Sequence, residues 1–338
     1  MYTDDDLNNA VENGIFTQDA VDRFRRHISE SSNTSLVDEE NIRLVTSFND
    51  IFVVIACVLL LASTLTILSH KVIGLALFTL IAWGLAEFFV RKRKMAFPAI
   101  ILLLSFVGGA FFFVISAYKT PNETSFAVAA AFSAIVAYLH WKRFMVPITI
   151  AAGTAAVITF IIATILSAFS GSKEWINIPI FLCGIASFIF AMYWDISDRL
   201  RVTRRSDVAF WLHLLSAPLI IHPVLSKLGV INGKEGFSSM ILVLFAYLLM
   251  TLVSLIIDRR AFMVSSLGYV IFALANLFKV YGIVNQNFAI TGAVIGSALL
   301  LLSAFWHTVR VRMIALLPEK VQEILPPGRH IKEVHSSG

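Results

Sequence analysis

Long apolar runs alternate with short polar connections through most of the chain beyond residue 50. Each run has roughly 16 to 25 residues, and about 20 apolar residues span the hydrocarbon core of a bilayer as a helix. A chain inside lipid must satisfy its backbone polar groups internally, which a helix does. The pattern therefore predicts an all-α, polytopic membrane bundle of about ten transmembrane helices. The predicted segments are Ile51–Ser69, Val72–Val90, Met95–Ala117, Ser125–His140, Phe144–Ala168, Ile176–Trp194, Val208–Lys227, Phe237–Ile257, Ala261–Tyr281 and Asn287–Val309.

The polar residues before the first run predict a small cytosolic region, residues 1–46, made of a helix, a turn, a second helix and a linker. Thr3 can cap the first helix, Gly14 suits the position that ends it, and Thr17 can cap the second. Residues 47–309 then form the transmembrane bundle. Residues 310–338 form a cytosolic amphipathic tail that is expected to lie along the inner membrane surface.

The arginines predict the orientation of the bundle. One set of connections is basic: Arg91 to Lys94, Lys142-Arg143, Arg199 to Arg205, Arg259-Arg260, and the flank with Arg310 and Arg312. The alternate connections contain isolated lysines and no arginine. Cytosolic loops carry the Lys/Arg excess, so the first set and both termini are predicted to be cytosolic.

Composition removes several classes of function. The chain is 58% hydrophobic and 14% charged, whereas soluble domains have about 25% charged residues. The net charge of +5 comes from short basic clusters between apolar runs, so no nucleic-acid partner is expected. Cys57 and Cys183 both lie in apolar runs, which excludes a CxxC metal site. Phosphate-loop and HExxH motifs are absent, so we predict no ATP-driven step, catalytic residue, metal or cofactor.

The basic clusters recur every 50–60 residues or so. Two of them are followed by the same tripeptide, Phe144-Met145-Val146 and Phe262-Met263-Val264. One interpretation is a tandem repeat of two-helix hairpins. The other, which we favour, is that short loops and the positive-inside rule produce this spacing without a repeat.

Three features together resemble an uncharacterised family of bacterial inner-membrane proteins. They are the turn Asn13-Gly14-Ile15-Phe16-Thr17 followed by Phe24-Arg25, the stretch from Asp38-Glu39-Glu40 through Arg43 to Phe48-Asn49-Asp50-Ile51-Phe52, and the closing Leu316-Leu317-Pro318 and Leu325-Pro326-Pro327. The resemblance covers both ends and the middle only by hydropathy. It implies a multi-pass protein of the cytoplasmic membrane, and it transfers no binding or catalytic residue.

The seventh segment carries the most conspicuous polar residues at predicted membrane depth. It contains His213, Pro218 and His222. Proline frees a backbone carbonyl and histidine titrates near neutral pH. This helix is therefore a candidate to line a proton-linked path; the alternative is that the prolines only bend it and each histidine bonds to a neighbouring helix. An ideal helix places the two histidines on opposite faces, about 13 Å apart. They form one site only if the helix kinks at Pro218; otherwise each histidine bonds to a neighbouring helix.

Three further positions are candidates. Glu87 has Arg91 at i+4. It either forms an interfacial ion pair with Arg91 or is a proton or cation ligand at a cytosolic vestibule. Asn276 either binds substrate or holds helices together. Gly292 and Gly296 form a GxxxG step, which permits either internal packing or a homodimer.

The leading hypothesis from the sequence is a non-ATP-driven permease of a small solute. Its candidate substrate-binding residues are His213, His222, Pro218, Glu87 and Asn276, and its partners are the lipid bilayer and a small-molecule substrate. The alternative is a membrane scaffold or sensor in which the bundle anchors a cytosolic docking module, residues 1–46.

Overall fold

The computed structural model describes residues 4–32, 48–68, 72–169, 171–199, 201, 203–227, 237–264, 267–269, 271, 287–322 and 325–326. These residues form helices and no strand, which confirms the all-α class. The helices are α1 (Asp4–Glu12), α2 (Gln18–Ser32), α3 (Phe48–Ile67), α4 (Val72–Ala86) with its π-helical continuation Glu87–Lys92, α5 (Ala96–Ser116), α6 (Glu123–Phe144), α7 (Ile148–Ala168), α8 (Asn177–Ile196), α9 (Arg204–Lys227), α10 (Phe237–Ile257), α11 (Asn287–Ala315) and α12 (Glu319–Gln322).

Within the described ranges, seven helices are long and apolar enough to cross a membrane: α3, α4 with its continuation, and α5 to α9. Helices α10 and α11 coincide with the eighth and tenth predicted segments. The ninth segment, Ala261–Tyr281, lies mostly outside the described residues. The total of ten spans therefore stays a prediction.

The amino-terminal pair follows its sequence signals closely. Gly14 has a φ of 71°, and the amides of Gly14 and Ile15 donate to the carbonyls of Val11 and Ala10. This is a Schellman motif, which ends α1 where glycine tolerates the left-handed conformation. The Thr17 hydroxyl accepts a hydrogen bond from the Ala20 amide at 3.2 Å and so caps α2.

Helices α3 to α7, here called the first half, share an apolar core. Its buried members include Leu61, Ala82, Leu102 and Leu103, and Trp83 packs against them. Helices α8 to α11, here called the second half, have a separate core in which α9 residues such as Ala217 and Leu225 meet Val243 of α10. Helix α9 lies against both α8 and α7 and so connects the two halves.

Four connections repeat one backbone feature. The non-glycine residues with positive φ in the described chain are Lys94, Met145, Arg201 and Asp258, at 50–58° and 51, 56 and 57 residues apart. They follow α4, α6, α8 and α10, so each ends the second helix of a hairpin, where left-handed residues are common. We call the end of the bundle that carries these connections the arginine-rich end.

This spacing indicates a periodic hairpin architecture, but the shared tripeptide does not mark it. Phe144 is the last residue of α6 and Met145 is the left-handed residue. Phe262, by contrast, lies four residues beyond the left-handed Asp258, inside a helical stretch. The two Phe-Met-Val tripeptides therefore occupy different structural positions.

Helix α9 continues through both of its prolines instead of breaking. Proline removes one backbone hydrogen bond, and close packing by a neighbouring helix can compensate for the loss. Gly184 of α8 provides such packing: a Cβ atom there would lie 2.8 Å from the Leu219 carbonyl carbon and 3.0 Å from the Ile220 amide nitrogen. The backbone of α8 thus lies directly against α9 between Pro218 and Pro223.

Candidate functional site

A network of buried charged residues lies at the arginine-rich end of the second half. Its acidic members are Asp195 at the end of α8 and Asp258 just after α10. Its basic members are Arg201, Arg259 and Arg310, contributed by the α8–α9 connection, the residues after α10, and α11. All five residues are at most 6% exposed. We call these five residues and their hydrogen-bond partners the charge network.

Asp195 is held by two partners at once. Its carboxylate accepts hydrogen bonds from Nε of Arg259 at 3.1 and 3.3 Å and lies 2.8 Å from Nε2 of His213. Arg259 also donates to the carbonyl and the hydroxyl of Ser206, both at 3.1 Å. The ends of α8 and α10 and the first turns of α9 are therefore joined through one carboxylate.

His213 is fully buried and packs edge-on against Phe188 and Phe262. Because the Asp195 carboxylate accepts from Nε2, that nitrogen carries the ring proton. Nδ1 has no hydrogen-bond partner among the described residues. The neutral ring therefore has one enclosed lone pair that makes no hydrogen bond within the described part of the chain.

Asp258 organises the other side of the charge network. Its carboxylate lies 3.3 Å from Nη1 of Arg201 and 3.3 Å from Nε of Arg310. It also accepts a hydrogen bond of 2.9 Å from the Trp306 indole. Arg201 and Asp258 are two of the four left-handed residues, and Arg201 additionally donates to the Asp258 carbonyl at 2.9 Å. The turns after α8 and α10 are thus bonded to each other.

The chain near its carboxyl end is fastened to the same place. Arg199 donates two hydrogen bonds, of 3.2 and 2.8 Å, to the Leu325 carbonyl. Arg310 donates one of 2.8 Å to the Pro326 carbonyl. Leu325 is 3% exposed and packs into the second-half core. This part of the predicted surface tail is therefore inserted against the bundle.

Such an arrangement is stable only when it is complete. Moving a charge from water into the protein interior has a large desolvation free energy. Leaving one member of a buried ion pair without its partner therefore lowers the stability of the fold by about 3–5 kcal/mol. Burial lowers the pKa of Arg201 to about 10, so its guanidinium still carries a charge at neutral pH. The charge network therefore holds helices α8, α9, α10 and α11 in one fixed arrangement. A change of charge at any one of its residues disturbs the contacts between all four helices.

The structure separates the sequence-predicted residues of α9. His213 belongs to the charge network, whereas His222 is exposed and its Nδ1 lies 3.1 Å from the Tyr269 hydroxyl. Pro218 lies between them in an unbroken helix. Each histidine therefore bonds to a neighbouring residue of another segment, and the two form no common site.

Glu87 lies apart from the charge network, in the first half. Arg143 binds it with two hydrogen bonds, of 2.6 and 3.1 Å, and Arg91 lies 3.5 Å away. The predicted pair with Arg91 is present, but the closer partner comes from the end of α6. All three side chains are 30–54% exposed, so this is a solvated ion pair.

Two predicted sites have different outcomes. Asn276 lies outside the described residues. Around Gly292 and Gly296 of α11, no described atom lies within 4 Å of the position that a Cβ would take. The described structure therefore offers these glycines no internal helix contact, and a homodimer through them stays a prediction.

Sequence reasoning missed Asp195 and Asp258 as site residues. The predicted sixth segment ends at Trp194, one residue before Asp195, and the positive-inside rule uses the arginines only as signals of topology. The available signal was an acidic residue at the end of an apolar run beside an arginine cluster, which occurs at both positions. Among the described residues, no group of three or more His, Cys, Asp or Glu could hold a metal ion.

An apolar groove of about 430 Å³ lies between α6, α7 and α8. Residues lining it include Tyr138, Trp141, Gly153, Val157, Cys183 and Phe190. It does not include any member of the charge network.

The fold and the charge network together define an all-helical protein whose apolar helices have membrane-spanning length. No protein-family model, no curated protein and no solved structure matches the chain.

Proposed function

We propose that the chain is a ten-span protein of the bacterial cytoplasmic membrane with both termini in the cytosol, and that it is a small-solute permease not driven by ATP. Seven apolar helices of spanning length support the membrane location. The arginines of alternate connections support the orientation. The resemblance to the uncharacterised inner-membrane family supports the same architecture.

The observation that carries the permease proposal is the enclosed pair of His213 and Asp195. Ionisable residues inside membrane helices are costly and commonly serve proton or ion movement. Nδ1 of His213 is buried and has no hydrogen-bond partner among the described residues. In this proposal Nδ1 takes the proton, and the Asp195 carboxylate, which lies beside Nε2, stabilises the resulting imidazolium. In this proposal a proton gradient acts on this pair and supplies an energy source other than ATP.

The position of the pair supports a gating role. Asp195 also binds Arg259, which follows α10. Protonation of His213 strengthens its attraction to Asp195 and places a second positive charge near Arg259, so the pairing that joins α8 to α10 weakens. A permease has to open one end of its bundle at a time, and the charge network closes the arginine-rich end.

A binding screen followed by a transport assay tests this proposal. Purified protein is melted in the presence of a soluble-metabolite library, since a ligand at about 100 times its Kd stabilises a protein by about 2.7 kcal/mol. Each hit is then assayed for uptake into proteoliposomes with and without an inward proton gradient. We expect at least one metabolite whose uptake depends on the gradient.

The variant His213→Gln makes the test specific. Its amide can still donate to Asp195 but cannot take a proton, so gradient-driven uptake should be lost while melting stays close to that of the wild type. His222→Gln is the matched control, because His222 lies outside the charge network on the same helix. Full gradient-driven uptake by His213→Gln would refute the permease proposal.

A second candidate, a membrane scaffold or sensor, is favoured by the amino-terminal pair. Ile15, Phe16 and Phe24 are 47–70% exposed there, and exposed apolar clusters mark interaction surfaces. Deleting residues 1–46 should then abolish partner binding and leave the melting of the bundle unchanged. If the deletion leaves partner binding intact, the scaffold candidate is wrong.

A further inference from the structure

The apolar groove between α6, α7 and α8 arises from the way α7 and α8 pack. Both helices lie against α9, while α7 and α8 themselves touch only sparsely. Helix α6 closes the other side by packing along α7, where a Cβ on Gly153 would lie 3.5 Å from that of Ala137. The space between α7 and α8 is therefore a consequence of how α6, α7, α8 and α9 pack.

The wall of the groove is apolar although it contains threonines. The Thr149 hydroxyl lies 3.2 Å from Nδ1 of His140, and the Thr154 hydroxyl donates to the Ile150 carbonyl at 2.9 Å. Because these hydroxyls have partners within the protein, they require none from an occupant. Val157 and Phe190 are 46% and 38% exposed at the groove, so the groove opens sideways, toward the lipid around the spans.

The dimensions fit a chain that enters from one membrane surface. The groove follows α7 from Thr149, one residue after the start of the helix, to Ile161. These residues cover about 18 Å at about 1.5 Å per residue. One leaflet contributes about half of the roughly 30 Å hydrocarbon core. The groove thus begins at the arginine-rich end and extends about as deep as one leaflet.

A positive charge stands at the mouth. Nζ of Lys142 lies 4.9 Å from the ring centroid of Tyr138, which lines the groove. Its neighbour Arg143 is bound to Glu87, whereas no described acidic side chain forms an ion pair with Lys142. Basic residues beside a gap between transmembrane helices on the cytosolic side recognise anionic lipid headgroups.

We propose that this groove is a binding site for an anionic phospholipid of the cytosolic leaflet, with one acyl chain along α7 and the phosphate at Lys142. The apolar wall, the leaflet-long depth and the charge at the mouth select this occupant over a soluble solute. The site does not depend on transport, and it rests on the orientation proposed above only for the choice of leaflet.

Native mass spectrometry of the full-length protein in detergent tests the site. The protein is titrated with phosphatidylglycerol and with phosphatidylcholine that carry the same acyl chains. We expect one tightly retained lipid with a preference for phosphatidylglycerol. Gly153→Leu and Val157→Trp fill the groove and should each abolish retention. Lys142→Gln should keep the acyl-chain contact but lower the preference about fivefold, the effect of one basic residue near an anionic surface.

Matched controls separate the site from general lipid affinity. Gly108→Leu adds the same bulk where no neighbouring atom lies within 4 Å of the new Cβ, and Lys92→Gln removes a charge at the same end outside the groove. Both should bind like the wild type. Retention of the lipid by both folded groove-filling variants would overturn the site, and an unchanged preference in Lys142→Gln would overturn the headgroup assignment.

Discussion

The two halves of the bundle arrange their polar residues at the arginine-rich end in different ways. In the first half, His140 is enclosed by the rings of Trp83, Phe106 and Phe144 and makes a neutral hydrogen bond with Thr149. The ion pair of the first half, between Glu87 and Arg143, stays partly exposed. In the second half, the ions themselves are enclosed, and their partners come from helices far apart in sequence.

This difference shows that one sequence pattern has two physical outcomes. Basic connections occur in both halves, and the positive-inside rule accounts for both. A solvated ion pair contributes little and tolerates change. An enclosed one fixes the geometry of every element that it joins and tolerates no missing partner. The second half is therefore where a change of charge can alter the structure.

The largest expected effect comes from breaking the charge network. Asp195→Asn should lower the free energy of unfolding by about 3–5 kcal/mol, because Arg259 would keep its buried charge and lose the Asp195 carboxylate that binds it. Unfolding in mixtures of dodecyl maltoside and SDS, followed by tryptophan fluorescence, measures this loss. Glu87→Gln in the first half is the matched control and should have a much smaller effect.

The double variant Asp195→Leu/Arg259→Met sharpens the same prediction. Apolar side chains of similar volume often replace buried ion pairs without loss of stability. This variant should therefore regain the part of the loss that comes from the buried charge of Arg259, while His213 still lacks its acceptor. If Asp195→Asn unfolds no more easily than Glu87→Gln, the contrast between the halves is refuted.

Removing residues 325–338 should cost about 2–3 kcal/mol. The truncation exposes the pocket that holds Leu325 and takes away the carbonyl acceptors of Arg199 and Arg310. Removing only residues 327–338 keeps these described contacts, so this shorter truncation should unfold at a higher SDS fraction than the longer one. Equal curves for both truncations would contradict the role assigned to Leu325 and Pro326.

The two buried histidines offer a more direct comparison of the halves. His213→Leu should cost about 1.5–3 kcal/mol, because it removes a hydrogen bond to a carboxylate. His140→Leu removes a hydrogen bond between neutral groups and should cost about 1 kcal/mol. The same detergent unfolding assay ranks them. A larger loss for His140→Leu would reverse the comparison.

Each half also has a glycine at a tight helix contact. Replacing each of these glycines by alanine should give the smallest difference in stability between the two halves. At Gly184 the added methyl group meets the backbone of Leu219 and Ile220, which cannot move aside, so a loss of about 1–3 kcal/mol is expected. At Gly109 it meets the side chains of Thr79 and Phe78, which can shift. Gly109→Ala should therefore have a higher melting temperature than Gly184→Ala. The opposite order would count against the close contact of α8 with α9.

Local signals predicted the helices and several of their ends. The apolar runs correspond to helices α3 to α11 apart from the ninth segment, and Gly14 and Thr17 have the capping roles expected of them. Those roles depend on residues three to five positions away, which the sequence displays directly. The prolines of α9 did not predict whether the helix kinks, because the effect of a proline depends on the packing that surrounds it.

The candidate site was predicted only at His213. Its partner Asp195 is 18 residues away, Arg259 is 64 residues from Asp195, and Arg201 is 57 from Asp258. Nothing in the sequence selects one arginine of a basic cluster as the partner of a given carboxylate. The left-handed turns at Arg201 and Asp258 bring these loops together.

The sequence alone therefore determined that the chain forms apolar helices of membrane length, joined by alternately basic connections, because hydrophobicity and charge are local properties. Only the tertiary structure decided which charges are enclosed and which stay solvated. That choice depends on distances between residues that lie 18 to 64 positions apart, and these distances are set by how helices α8 to α11 pack.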